Sequence, residues 1–126
     1  MKHNVVGWFD IYVSDMSRAS KFYEAVFNTM LEVMTDPTDS NVQMKAFATD
    51  MKVYGAGGAL VQREGAIPGI SGTTIYFSTE DCLAEEARVS AAGGRVIQPK
   101  ISIGGFGWIA LCMDTEGNMF GLSSMR

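Results

Sequence analysis

Histidine is almost missing from this chain of 126 residues, with His3 as the single example. That scarcity excludes histidine-rich metal centres and most histidine-dependent acid–base or nucleophilic chemistry unless His3 itself takes part. Cysteine is nearly as rare. Cys82 and Cys112 are the two present, and they show no CxxC spacing. Zinc ribbons, redox motifs and disulfide scaffolds are thereby excluded, and the two thiols are expected to be reduced and buried in a cytoplasmic protein. No apolar run approaches the roughly 20 residues of a membrane helix. The start, MKHNVVGWFD, lacks the apolar stretch and small-residue cleavage site of a secretory signal. Positive charge is also sparse. Ten Lys and Arg against fourteen Asp and Glu give a formal net charge of −4, and the basic residues are scattered. Nucleic acid, which is bound through clustered cations, is therefore not an expected partner, and neither is a membrane.

What remains is an ordinary globular composition, 47% hydrophobic and 19% charged, at a length that fits one domain over residues 1–126. The stretch GWFDIYVSD alternates like a strand. In the following DMSRASKFYEAVFN, Ala19, Phe22, Tyr23, Val26 and Phe27 fall on one helical face, predicting a helix from about residue 16 to 27. Asp15 or Ser17 is placed to cap its start, and Asn28 to close it in the left-handed conformation. Extended segments are expected near 29–35, 42–49 and 57–63, separated by DPTDSN and YGAGG.

The pattern then repeats. TTIYFSTED reads as a strand, and DCLAEEARVSAAGG as a helix ending at Gly93, its stripe interrupted by Glu86. GRVIQP, FGWIALCMD and NMFGLSS follow as extended pieces, with a hairpin turn over Asp114 to Gly117. Laying Asp15 over Asp81 superposes strand on strand and helix on helix. The expected fold is α+β: two βαβββ modules, about 1–66 and about 70–126, forming a curved mixed sheet.

Each helix must bury its apolar face against its sheet, so Phe9–Ile11–Val13 and Thr73–Ile75–Phe77 are the helix-facing arms. Trp8–Asp10–Tyr12 and Thr74–Tyr76–Ser78 are left to line the opposite surface, with Met119, Gly121 and Ser123 of the last strand. A cup walled by aromatic and polar groups suits a small organic molecule.

In DIYVSDMSRASKFYEAVFN, GGALVQREG, AAGGRVIQP and DTEGNMFGL, taken in that order, the chain resembles the vicinal oxygen chelate superfamily. That superfamily holds glyoxalase I, extradiol dioxygenases, fosfomycin resistance enzymes and bleomycin resistance proteins. The resemblance implies a homodimer whose paired modules complete the cups, and, in metal-dependent members, a divalent ion held by His, Gln or Glu from four strands. By position, the first ligand falls on Trp8, the equivalent in the second module on Thr74, and the last on Gly121. The remaining one falls in GGALVQRE, where the inward residues are glycine or small and apolar. An indole only donates, glycine has no side chain, and one threonine hydroxyl is a weak ligand alone. Neither a metal nor another cofactor is therefore expected.

The candidate ligand-binding residues are Trp8, Asp10, Tyr12, Thr74, Tyr76, Trp108, Met119 and Gly121. Asp10 is also the one weak candidate for catalysis. Desolvation in an aromatic cup would suit it to acid–base work, whereas a hydrogen bond from Tyr76 or a neighbouring strand would make it structural. Trp8 and Trp108 have the faces to stack on a planar or cationic ligand. GAGGAL lacks the third glycine and the helix start of a phosphate loop and reads as a turn and packed strand. Ser71, Ser123 and Ser124 have no histidine to activate them. Metal-free binding of a small molecule is the expectation. The alternatives are a metal-dependent lyase or dioxygenase with atypical ligands, and a structural or interaction protein with a closed cup.

Overall fold

The computed structural model describes residues 4–36, 38–70 and 72–126. His3 and Ser71, both named above, lie outside the described residues.

The first module runs β1 (Trp8–Tyr12), α1 (Met16–Phe27), β2 (Glu32–Thr35), β3 (Gln43–Ala46) and β4 (Gly57–Gln62). The second runs β5 (Ile75–Ser78), α2 (Cys82–Val89), β6 (Arg95–Ser102), β7 (Trp108–Met113) and β8 (Met119–Ser124), with a short 3₁₀ turn at Gly104–Phe106. Each module makes its own four-stranded mixed sheet, in the orders β1-β4-β3-β2 and β5-β8-β7-β6. In both, the strand before the helix pairs in parallel with the last strand of the module, and the other pairs are antiparallel. The two βαβββ modules are thus the expected ones, with the sheet divided in two.

Local chemistry fixes the helix ends. Asp15, not Ser17, caps α1: its carboxylate accepts the Arg18 N–H at 3.0 Å. Asn28 adopts the left-handed conformation at φ 51°, and the N–H groups of Asn28 and Thr29 both return to the Glu24 carbonyl. The second helix stops at Val89, four residues short of the expected Gly93. Glu86 accepts the Lys100 backbone N–H, tying the helix to β6, and the chain turns off through hydrogen bonds to the Arg88, Val89 and Ser90 carbonyls. Gly93, at φ +103°, permits that exit.

One core unites the modules. Helix α1 packs on β3 and β4, α2 packs on β6, β7 and β8, and the two helices touch. Ile11, Val13 and Leu60 of the first sheet share this core with Ala110, Cys112, Phe120 and Leu122 of the second. Phe22, Tyr23 and Phe120 are fully buried within a group of interlocking rings that includes Phe9, Phe27, Phe47 and Phe77. Burying each ring contributes on the order of 1.5–3 kcal/mol. The arms Phe9–Ile11–Val13 and Ile75–Phe77 therefore face the helices as their alternation dictates. The far face of each sheet carries exposed side chains, among them Trp8 and Tyr76. Among the described residues, no helix is long and apolar enough to cross a membrane.

Candidate functional site

Strand register arranges the far face of the first sheet in rows. Asp10 stands beside Ala59, Ala46 and Glu32, and Tyr12 beside Val61, Met44 and Met34. Two alanines thus stand between two carboxylates, with thioethers and an aromatic ring along the next row. Trp8 and Asp10, two residues apart on one strand, point the same way, and the indole Nε1–H donates to Asp10 Oδ1 at 3.0 Å. The partner of Asp10 is thus Trp8 of its own strand, not Tyr76 or a neighbouring strand. Asp10 itself is exposed, so the burial that would have desolvated its carboxylate is absent.

The second sheet presents Tyr76, whose ring lies directly over Gly121 in the adjacent strand; a Cβ at Gly121 would collide with the ring. Thr74 sits just before β5 and is half-buried, and Met119 opposes Met113. Trp108 is not on this face. The alternation of β7 sets it on the side of Ala110 and Cys112, both buried against α2. There its ring lies under Lys100 Nζ, 5.1 Å from the ring centroid, while Lys100 also pairs with Asp81 at 2.8 Å. That cation holds the Asp81 carboxyl below its ordinary range. Trp108 therefore supports the start of α2 and does not join Trp8.

The positions at which the superfamily resemblance would place a metal do not fit one. Trp8 only donates, Thr74 offers one hydroxyl, and Gly121 lies under a ring. In β4, a Cβ at Gly57 would run into the Thr49 side chain. Among the described residues, no three His, Cys, Asp or Glu side chains converge. A divalent ion needs several such donors at about 2.0–2.6 Å.

Asp10, Tyr12 and Met119 do come together. They line a cleft of about 540 Å³ between β1 and the edges of β5 and β8, with the buried Tyr23 and Phe120 behind it. The loop carrying Ile67, Pro68 and Gly69 forms its remaining wall. Trp8, Thr74, Tyr76, Trp108 and Gly121 are not among its lining residues. A second cleft of about 810 Å³ shares Tyr12 and Ile67 and is bounded by Asp39, Arg63 and Glu64.

A polar connector behind the cleft had no sequence signal as a unit. The buried Tyr23 hydroxyl donates to Asp114 Oδ2 at 2.7 Å, and burial, followed by that carboxylate, pushes its ionisation well above the ordinary tyrosine range. Asp114 Oδ1 accepts the Glu116 and Asn118 N–H groups. Asn118 donates to the Tyr12 carbonyl at 2.8 Å and accepts the Gly69 N–H at 2.8 Å, so one side chain fixes both β1 and the loop over the cleft. Glu116 reaches back to the other module, accepting the Ser14 and Asp15 N–H groups and two bonds from Arg18. Burial alone would raise its carboxyl, but those donors and the Thr115 hydroxyl outweigh burial and hold it at about 2. The hint in the sequence was Tyr23 itself: a hydroxyl within an apolar helical stripe must find a partner.

Other candidates resolve into structure. Ser124 Oγ accepts the Cys82 N–H and donates to the Arg126 carbonyl, and Ser123 Oγ donates to the Phe77 carbonyl. GAGGAL enters β4, where Gly58 lies under the Phe9 ring.

The model of the Glyoxalase/Bleomycin resistance protein/Dioxygenase superfamily matches residues 5–122. An anthracycline biosynthesis protein, DnrV of Streptomyces peucetius, is 29% identical over 129 residues, covering 90% of this chain and 44% of its own length. The chain thus spans less than half of that relative. In solved structures, the fold resembles a glyoxalase/bleomycin resistance protein from Albidiferax ferrireducens T118, with TM-score 0.71 and 17% identity over 94% of this chain and 98% of that one. It also resembles glyoxalase I from Zea mays, with TM-score 0.71 and 20% identity over 93% of this chain and 43% of that one.

Proposed function

Because the chain belongs to the Glyoxalase/Bleomycin resistance protein/Dioxygenase superfamily, we propose that it binds a small organic molecule on the Asp10–Tyr12 side of its fold, without a resident metal. The observation that carries this reading is the Tyr76 ring covering Gly121, which puts an aromatic side chain where the resemblance expects a ligand to a metal. The cleft at Asp10, Tyr12 and Met119 supports a small ligand: it is concave, mixes apolar with aromatic residues and is equipped with few polar groups. Likeness to a protein of anthracycline biosynthesis is in keeping with a small-molecule role.

The working form we propose is a homodimer. Each sheet leaves part of its far face exposed within the chain, with Trp8 40% and Tyr76 46% exposed. The Zea mays glyoxalase I chain and DnrV are each long enough for about two units of this size, as two copies of this chain would be. Both cysteines are free and buried, which supports a reducing compartment such as the cytoplasm.

The test is a thermal-shift screen of small organic molecules against chelator-treated protein. A ligand at a hundredfold its Kd should stabilise the fold by about 2.7 kcal/mol. Stabilisation that survives the chelator supports the reading. Binding or turnover seen only after a divalent ion is restored would overturn it.

A further inference from the structure

Resting on the proposal that this face binds a small molecule, we infer that the ligand class is an organic cation, carrying a protonated amine that Asp10 receives. The cleft decides the sign of the charge. Among the described residues, Asp10 is the only carboxylate lining it, and no lysine or arginine does. The rest of its lining is apolar, aromatic or neutral, including Ile67, Pro68, Met119 and Tyr12. The adjoining row of the sheet adds Glu32 beyond Ala59 and Ala46, and again no cation.

An anionic ligand, or a neutral one without a donor, would strip water from Asp10 and return nothing to it, while a neutral donor returns only an uncharged hydrogen bond, and an uncompensated buried charge is costly. An ammonium group replaces the lost water with a charge-assisted hydrogen bond. The carboxylate is set up for that bond. The Trp8 indole N–H holds Oδ1, while among the described residues no hydrogen bond or ion pair reaches Oδ2. Trp8 and Tyr12 flank Asp10 on the same face of β1, so the indole whose N–H holds Oδ1 reports directly on what binds the carboxylate. Among the described residues, Arg63 is the one cation lining the neighbouring cleft, and it is drawn toward Asp36 at 3.8 Å.

Three probes of matched size separate the possibilities: phenethylammonium, 2-phenylethanol and 3-phenylpropionate. The chain has two tryptophans, so the indole N–H region of a ¹H–¹⁵N spectrum holds two side-chain signals, and Trp108→Phe identifies that of Trp8. In chelator-treated protein, the ammonium should shift the Trp8 signal saturably. The alcohol should bind at least about tenfold more weakly, the carboxylate should leave the signal unmoved, and Asp10→Asn should weaken the ammonium by about tenfold or more. Equal or tighter binding of the alcohol or carboxylate would overturn the inference. So would an unchanged affinity in the Asp10→Asn variant, or no shift from any of the three at millimolar concentration either with or without added Zn²⁺. Repeating the titration with added Zn²⁺ keeps the two readings apart. A preference for the ammonium that emerges only with metal would support the cation inference and overturn the metal-free reading.

Discussion

The ring of Tyr76 and the backbone of Gly121 are in direct contact across the β5–β8 pair, leaving no room for a side chain at residue 121. Gly121→Ala should therefore destabilise the protein by about 1–3 kcal/mol in urea unfolding, since an added methyl must displace the ring. Tyr76→Ala should remove most of that cost, so the double variant will be markedly non-additive. Additive costs would show that the ring does not occupy that space in solution.

Glu116 ties the second module to the start of α1, and its folded-state carboxyl titrates at about 2 against an ordinary 4.5. A depressed value means that the charged form stabilises the fold. Its contribution, on the order of 3 kcal/mol, is present above about pH 4.5 and is lost as the pH falls toward 2. Acid titration of unfolding free energy should show this slope. In Glu116→Gln the same pH window should be flatter by about one proton.

Tyr23→Phe removes the buried donor to Asp114 Oδ2 while leaving the ring in place. Loss of a hydrogen bond to a charged group should cost about 1.5–3 kcal/mol in denaturant unfolding. The amide proton of Gly69 should also exchange faster, because Asn118, which holds it, shares the same carboxylate.

Cys82 and Cys112 are both inaccessible, and burial, followed by Glu86 and Cys82, pushes the Cys112 thiol up to about 11. Little Cys112 thiolate exists at neutral pH and Cys82 is sealed from solvent, so Ellman's reagent should leave both unmodified in the native protein. Both should react once it unfolds in guanidinium.

The repeat was legible because each of its signals has a local cause. The stripe through Ala19, Phe22, Tyr23 and Val26 and the alternation of Phe9, Ile11 and Val13 correspond to faces that are buried. Asn28 in the left-handed conformation follows from its short polar side chain. The extent of α2 was less legible, because its end depends on Glu86 meeting Lys100 from a strand that follows it.

Side assignment failed where alternation carries no contrast. In WIALCM both arms are apolar, so alternation groups Trp108 with Ala110 and Cys112 but does not say whether that arm or Ile109–Leu111–Met113 faces the helix. The cleft wall at Ile67–Gly69 was hidden for another reason. It lies in the connection between modules, and Asn118 holds it there through a contact 49 positions away along the chain. Exposed Ile67 and Ile70 in a loop were the available hint, since apolar residues in a connection often meet a ligand or partner.

The central claim is that this member of the superfamily works without a metal, and calorimetric titration of the chelator-treated protein with Zn²⁺, Ni²⁺, Mn²⁺ and Fe²⁺ tests it most directly. The absence of any saturable, stoichiometric heat is the predicted result. One tightly bound divalent ion per chain would contradict the account.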